Sequence, residues 1–155
     1  MTPAITIFER KKISFQVHEY THDVSNPSYG MEAAEKLAVN QDRVFKTLVV
    51  TLDTGEFVVA ILPVPAKLNL KKLAKMASAK KAMMAQTSEV ERSTGYVIGG
   101  VSPIGQKKKL RSFIDVTATA HGSVYVSAGR RGLEIELSPN DLAMMIDGSF
   151  TQLAC

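Results

Sequence analysis

Hydrophobic positions in this chain recur with two periods, and each switch between them marks the start of an element. Thr2 followed by Pro3 sets an N-cap hydroxyl before a proline at the first helical position, which predicts a helix through about Lys11. From Ser14 to Tyr20 the period is two, with Phe15, Val17 and Glu19 on one side and Gln16, His18 and Tyr20 on the other, as in a strand. Thr21 to Gly30, rich in Asp, Ser, Asn, Pro and Gly, reads as a loop. Met31 to Val39 reads as a short helix with Ala33, Ala34, Leu37 and Ala38 inward. Val44 to Leu52 and Glu56 to Val64 are β-rich runs around Asp53-Thr54-Gly55, which predicts a hairpin. Asn69 caps a helix through about Ala79, with Leu70, Leu73, Ala74 and Ala77 at helical spacing. Lys81 to Ala85 is a short strand, and Ser88 with Glu91 forms a capping box for a helix ending at Gly95.

Tyr96 to Ile98 is extended and feeds a loop from Gly99 to Gly105. Phe113 to Thr117, Ser123 to Ala128 and Leu133 to Leu137 are three more strands. Ser138-Pro139 opens a last helix over Asn140 to Ile146, and Ser149 to Leu153 is placed to close the sheet. Hairpins interleaved with helices predict an α+β fold: one domain over residues 1–155, with a mixed, mostly antiparallel sheet curled into a barrel-like core and helices around it. No internal repeat, low-complexity tract or linker interrupts it.

Composition narrows the function. A chain of 155 residues buries about 68–70% of its unfolded surface, so it needs no metal or disulfide staple. Its one cysteine, Cys155, is the last residue, and CxxC spacing is absent. His18, His22 and His121 form no HExxH or HxH pair, so neither zinc nor any other cofactor is expected. The N-terminus has no basic leader before an apolar core, and no run approaches 18 apolar residues; a cytoplasmic protein without membrane contact is expected. The net charge of +4 favours polyanionic partners, mainly because the cations cluster: Lys71, Lys72, Lys75, Lys80 and Lys81; Lys107, Lys108, Lys109 and Arg111; Arg130 and Arg131.

Four features could carry chemistry. Lys46 lies in Val44-Phe45-Lys46-Thr47-Leu48-Val49-Val50 and shares a strand face with Val44, Leu48 and Val50. If that face is the core side, desolvation lowers the lysine's pKa or calls for a partner, and either suits a group that polarises an ester. If it lies at a strand end, the side chain snorkels to water. Gly99-Gly100-Val101-Ser102-Pro103-Ile104-Gly105 could aim backbone N–H groups at an oxyanion or could be a tight structural turn. It is not a P-loop, because Gln106 separates Gly105 from Lys107. Ser127-Ala128-Gly129-Arg130-Arg131-Gly132 could bind phosphate or could be an exposed hairpin tip. Tyr20 and Tyr29 flank a loop and could stack on a base or pack at a rim. A Gly-x-Ser-x-Gly elbow is absent.

In order and spacing, Phe45-Lys46-Thr47-Leu48-Val49, the Gly99-to-Pro103 loop with Gly105, and Ser127-to-Gly132 resemble the YbaK/EbsC family of aminoacyl-tRNA deacylases. They are more like its Cys-tRNA(Pro) branch than the editing domain inserted in prolyl-tRNA synthetases or the free-standing Ala-tRNA(Pro) editors. The resemblance implies the YbaK fold and trans-editing of mischarged Cys-tRNA(Pro), and of Cys-tRNA(Cys) as a further substrate, alongside prolyl-tRNA synthetase. It also implies that the substrate's own thiol attacks the ester and leaves as cysteine thiolactone. Lys46, Gly99, Gly100, Val101 and Ser102 are then the catalytic set. Tyr20, Tyr29, Pro103, Ser127, Gly129, Arg130, Arg131 and Glu136 are the substrate and tRNA contacts. The family often has an acidic residue after the SAGxRG loop; Glu134 and Glu136 are both available here, and the sequence does not choose between them. The rival readings are water-mediated deacylation of another small aminoacyl-tRNA such as Ala-tRNA(Pro), and a non-catalytic tRNA- or synthetase-binding module.

Overall fold

The computed structural model describes residues 1–26 and 29–155; Pro27 and Ser28, within the expected loop, lie outside the described residues. In chain order the elements are α1 (Pro3–Lys11), β1 (Gln16–Glu19), α2 (Tyr29–Lys36), β2 (Phe45–Leu52), β3 (Phe57–Pro63), α3 (Leu70–Met76) and β4 (Ala82–Met84). There follow α4 (Thr87–Thr94), β5 (Arg111–Asp115), β6 (Val124–Arg130), β7 (Leu133–Leu137), α5 (Pro139–Ile146) and β8 (Ser149–Thr151).

Local signals explain most of these boundaries. Thr2 accepts from the Ile5 N–H at 3.3 Å and donates to the Ala128 carbonyl at 2.5 Å, so one hydroxyl caps α1 and pins it to β6. Asn69 and Ser138 cap α3 and α5 in the same way. At α4 the cap lies two residues before the expected Ser88: the Gln86 N–H donates to the Glu89 carboxylate at 3.1 Å. α2 starts two residues before and ends three residues before its apolar pattern suggests; at its end Ala38 takes a left-handed φ of 55° and is exposed. Tyr96 to Ile98 joins no sheet.

The fold is α+β, but the strands form two open sheets instead of one barrel-like one. A five-stranded sheet runs β4-β2-β3-β5-β8 and a three-stranded sheet runs β1-β7-β6. The β2–β3 hairpin forms in the expected place, and β4 adds antiparallel to β2. β5 and β8 add in parallel on the other side. The small sheet is antiparallel throughout. A barrel requires first and last strands to pair. Here β4 and β8 are three-residue edges, and a parallel bridge between Val44 and Tyr125 ties the two sheets.

Strand β3 is buried along both faces, as a central strand should be. Its period of two divides the core. Val59 and Ile61 pack into a cluster with Phe8, Ile114, Ile135 and Leu142, while Val58 and Ala60 pack beneath Leu73 of α3. Each such side chain contributes about 1.5–3 kcal/mol of burial.

Candidate active site

A concavity lies where the two sheets meet. Its volume is about 360 Å³, within the usual range of small-ligand sites of about 300–1,000 Å³. Lys46, Thr47 and Leu48 of β2 form one wall. Glu134 of β7 and Ser127 of β6 form another, and Tyr20, Tyr29 and Gly30 close a third. Ile98, Gly99 and Val101 border the opening together with Met84 and Ala85.

Lys46 reaches the chain just past β3, where the turn through Pro65 leaves carbonyls without ladder partners. Its Nζ donates to Ala66 O at 2.6 Å and to Val64 O at 3.1 Å. Desolvation lowers its pKa. An ammonium has three N–H bonds; two are engaged, and the third has no acceptor among the described residues. Beside it, the Thr47 hydroxyl is buried with no partner among the described residues.

Glu134 has no hydrogen bond or ion pair among the described residues, and it is 7% exposed. Burial pushes its pKa up to about 8, so the side chain is mostly neutral at pH 7. Burial, with the nearby Glu134 carboxyl second, also raises Tyr20 to about 12.

Arginine 131 organises the mouth. Its guanidinium stacks 4.1 Å from the Tyr29 ring centre, and its Nη2 donates to Tyr29 Oη at 2.8 Å and to Ile98 O at 3.0 Å. Gly99 sits against this clamp at φ +91°; a Cβ there would fall on Arg131 Nε and the Tyr29 ring. Gly100 is equally constrained, with Arg130 Cα 2.7 Å from where its Cβ would be. The His22 ring lies 5.9 Å from the Tyr29 ring and is itself held by Glu32. The Glu32 carboxylate accepts from His22 Nδ1 at 2.6 Å, the Asp23 N–H at 2.8 Å and Lys36 Nζ at 3.1 Å. Burial pushes this acid up, and those three donors together bring it below its ordinary value.

Among the sequence candidates, Lys46, Gly99, Val101, Tyr20, Tyr29 and Ser127 border the cavity. Gly100, Ser102, Pro103, Gly129, Arg130 and Glu136 do not. Ser102 is fully buried; its Oγ accepts from the Ile104 N–H and its carbonyl from Gln106, which stiffens the loop from within. The Gly100 N–H is spent on Val97 O at 2.9 Å. The N–H groups of Gly99 and Val101 have no acceptor among the described residues. Arg130 is exposed and lies 3.7 Å from Glu19. Arg131 faces inward toward protein rather than outward toward a polyanion. Glu136 shares a β7 face with Glu134 but is taken up by His18 at 2.9 Å, Ser123 at 2.5 Å and Arg43 at 3.2 Å. The acidic residue at the cavity is therefore Glu134. Pairing of Ser127 with Glu134 across β6–β7 is the signal that separates the two acids.

Three comparisons bear on this arrangement. EbsC of Enterococcus faecalis, proposed to be a Cys-tRNA(Pro)/Cys-tRNA(Cys) deacylase, is 36% identical over 152 residues, 98% of this chain and 92% of the relative. A stretch of 76 residues, 49% of this chain, is 37% identical to 13% of a proline–tRNA ligase of Maridesulfovibrio salexigens. The solved structure of a protein proposed as a trans-editing enzyme for prolyl-tRNA synthetase shares the fold, with a TM-score of 0.84 at 20% identity over 100% of this chain and 98% of that one. A profile of the aminoacyl-tRNA editing domain matches residues 27–145, most of the chain and all of the cavity's catalytic candidates, so the chain belongs to that family, the YbaK family.

Proposed function

We propose that this chain is a free-standing editing deacylase that removes cysteine from mischarged Cys-tRNA(Pro), with Cys-tRNA(Cys) as a further substrate, and that the sulfur of the bound cysteinyl group is the nucleophile. Family membership and the likeness to EbsC support the reaction class. The observation that carries the mechanism is the cavity wall itself. It offers an ammonium with one free N–H and a buried carboxyl without partners, and neither cysteine nor histidine is among its lining residues.

A cavity of this kind positions and polarises, and the substrate supplies the attacking atom. The spare N–H of Lys46 donates to the ester carbonyl oxygen and stabilises the charge that develops there, with the N–H groups of Gly99 and Val101 as further donors. Glu134, in its ionised fraction, takes the thiol proton. A cysteine thiol ordinarily titrates near 8.5 and Glu134 near 8, so the transfer costs little. Sulfur then bonds to the carbonyl carbon as the ester C–O bond breaks. Glu134 returns the proton to the departing ribose oxygen, and the products are uncharged tRNA and cysteine thiolactone. Holding sulfur against carbon in the cavity supplies most of the acceleration, because the attack is intramolecular and ring-forming.

The test is a deacylation panel on tRNA(Pro) charged with Cys, Ser, Ala and Pro, with product trapping by mass. Rapid release of Cys as thiolactone and near-background rates for Ser, which keeps the shape but loses the sulfur, are expected. Comparable rates for Ser, Ala and Cys would replace this mechanism with attack by water.

A further inference from the structure

A second groove lies away from the catalytic cavity, between α3 and β4. Leu70, Ala79 and Ala82 form its floor, and Lys71, Lys75, Lys80 and Lys81 stand around it. All four lysines are exposed, and none forms an ion pair among the described residues. Lys71 and Lys75 are i, i+4 on one helix, a like-charge spacing that costs stability. Asp53, beside Lys80 and Lys81, is occupied by their backbone N–H groups at 3.0 and 3.2 Å. The lysine run over 107–109 differs: Lys109 has Asp147 at 3.4 Å.

Strand β4 connects this groove to the active site. Lys80 and Lys81 precede it, and Met84 and Ala85 at its other end border the catalytic cavity. At about 3.3 Å per residue, Lys81 lies roughly 10 Å of strand from Met84. β4 is also a sheet edge, and Met83 and Met84 are exposed on its two opposite faces, 66% and 45%, with Met84 on the face it shares with Ala82. Apolar side chains on one face, Ala82 in the groove and Met84 at the cavity, flanked by lysines without ion pairs among the described residues, match single-stranded RNA, whose bases take the apolar surface and whose phosphates take the charge.

We propose that the α3–β4 groove with the exposed face of β4 is the track for the unpaired 3′ end of the substrate tRNA, with Lys71, Lys75, Lys80 and Lys81 holding the phosphates that precede the terminal adenosine. This rests on the deacylase reading of the cavity and adds where the rest of the substrate lies. The cavity then selects the aminoacyl group, and the lysine track supplies affinity without reading sequence.

The test compares two triple variants of equal charge, Lys71→Ala/Lys75→Ala/Lys81→Ala and Lys107→Ala/Lys108→Ala/Lys109→Ala, against the unaltered protein. Binding of uncharged tRNA(Pro) is measured across a salt series, and deacylation is measured on Cys-tRNA(Pro) and on the fragment 3′-O-cysteinyl-adenosine. The α3–β4 variant should weaken tRNA binding and flatten the log Kd against log salt slope by about 2, three contacts at about 0.7 each. Its KM for Cys-tRNA(Pro) should rise while its rate on cysteinyl-adenosine stays unchanged, since the fragment never reaches the lysines. The 107–109 variant should leave the salt slope unaltered. An unchanged slope in the α3–β4 variant, or equal losses in both, overturns the track; the first result would leave an acidic protein partner as the reason for the lysines. If the unaltered protein cleaves neither substrate, the deacylase reading fails, and the salt slope still decides whether the groove binds RNA.

Discussion

The two walls of the cavity hold opposite charges-in-waiting and treat them differently. Lys46 and Glu134 are both desolvated, which destabilises the ionised form of each. On the β2 wall the protein answers with two carbonyls within 3.1 Å, so the ammonium is satisfied and aimed. On the β7 wall Glu134 has no hydrogen bond or ion pair among the described residues, and the acid sits near 8. A partnered cation makes a fixed electrostatic fixture, and an unpartnered acid makes a group that can change protonation near neutral pH. Two residues further along β7, Glu136 shows what the same side chain becomes when satisfied. Ser123 first, with His18 and Tyr125 after, draws its pKa below the ordinary value, against the opposing effect of burial.

Breaking the fixed wall should have the largest effect. On the proposed mechanism Lys46→Ala removes the donor to the developing oxyanion, and kcat on Cys-tRNA(Pro) should fall about 10²–10³-fold, the usual cost of one such donor. Affinity for uncharged tRNA should be retained, since Lys46 lies inside the cavity; a matching loss of affinity would make Lys46 a binding residue instead. Next comes the titrating wall. Glu134→Gln keeps the shape and abolishes proton transfer, so deacylation should drop about 10²-fold. Its stability signature has a definite sign. The folded pKa of Glu134 is raised from 4.5 to about 8, so the folded state holds the proton more tightly. The resulting stabilisation is complete below about pH 4.5 and is lost, at about 1.4 kcal/mol per pH unit, as pH rises to about 8. Glu134→Gln should therefore flatten the fall in melting temperature between pH 5 and 8; an unchanged profile would mean that Glu134 is not buried as a neutral acid.

How legible this was follows from which residues the relevant physics is local to. Thr2-Pro3, Asn69 and Ser138-Pro139 mark helix starts because capping is settled within three residues. The β2–β3 hairpin is visible because its turn and alternation are contiguous. The choice between Ser88 and Gln86 as a cap was not, since both precede an acid by three positions. Sheet closure depends on which distant strands pair, and no local pattern announces that β8 adds in parallel to β5. Lys46 could be singled out because a lone cation interrupts an apolar strand. Glu134 could not be told from Glu136, since Arg43 and His18, which claim the latter, come from separate elements. Arg131 reads as a phosphate ligand until Tyr29 and Ile98 are seen to occupy it.

That clamp yields a smaller prediction, because it supports the mouth without entering the chemistry. Gly99→Ala places a methyl group on Arg131 and Tyr29 at a φ of +91°. The strain is about 1–3 kcal/mol. Melting should drop by several degrees, at about 2–4 °C per kcal/mol for a chain of this size. The loop should shift enough to cost about tenfold in kcat/KM, split between both parameters. A variant with full activity and an unshifted melting point would show that the glycine is a turn and nothing more.

The smallest effect sharpens the contrast between the two acids of β7. Glu136→Gln alters a group with the same chemistry, strand and face as Glu134, so any general sensitivity of this sheet to losing a carboxylate would appear in both. The network around Glu136 is partly open to solvent, with side-chain exposures of 29% for His18 and 33% for Arg43, and such pairs contribute no more than about 1 kcal/mol. Because its folded pKa is lowered, its contribution is present above the ordinary glutamate value and is lost as pH falls through the folded pKa, the reverse of Glu134. At neutral pH the variant should melt slightly lower than the unaltered protein, the gap should close on acidification, and deacylation should be unaffected. If Glu136→Gln instead reduces deacylation as much as Glu134→Gln, the distinction between a satisfied and an unsatisfied acid no longer accounts for the site, and the proton must travel through the His18–Glu136 pair.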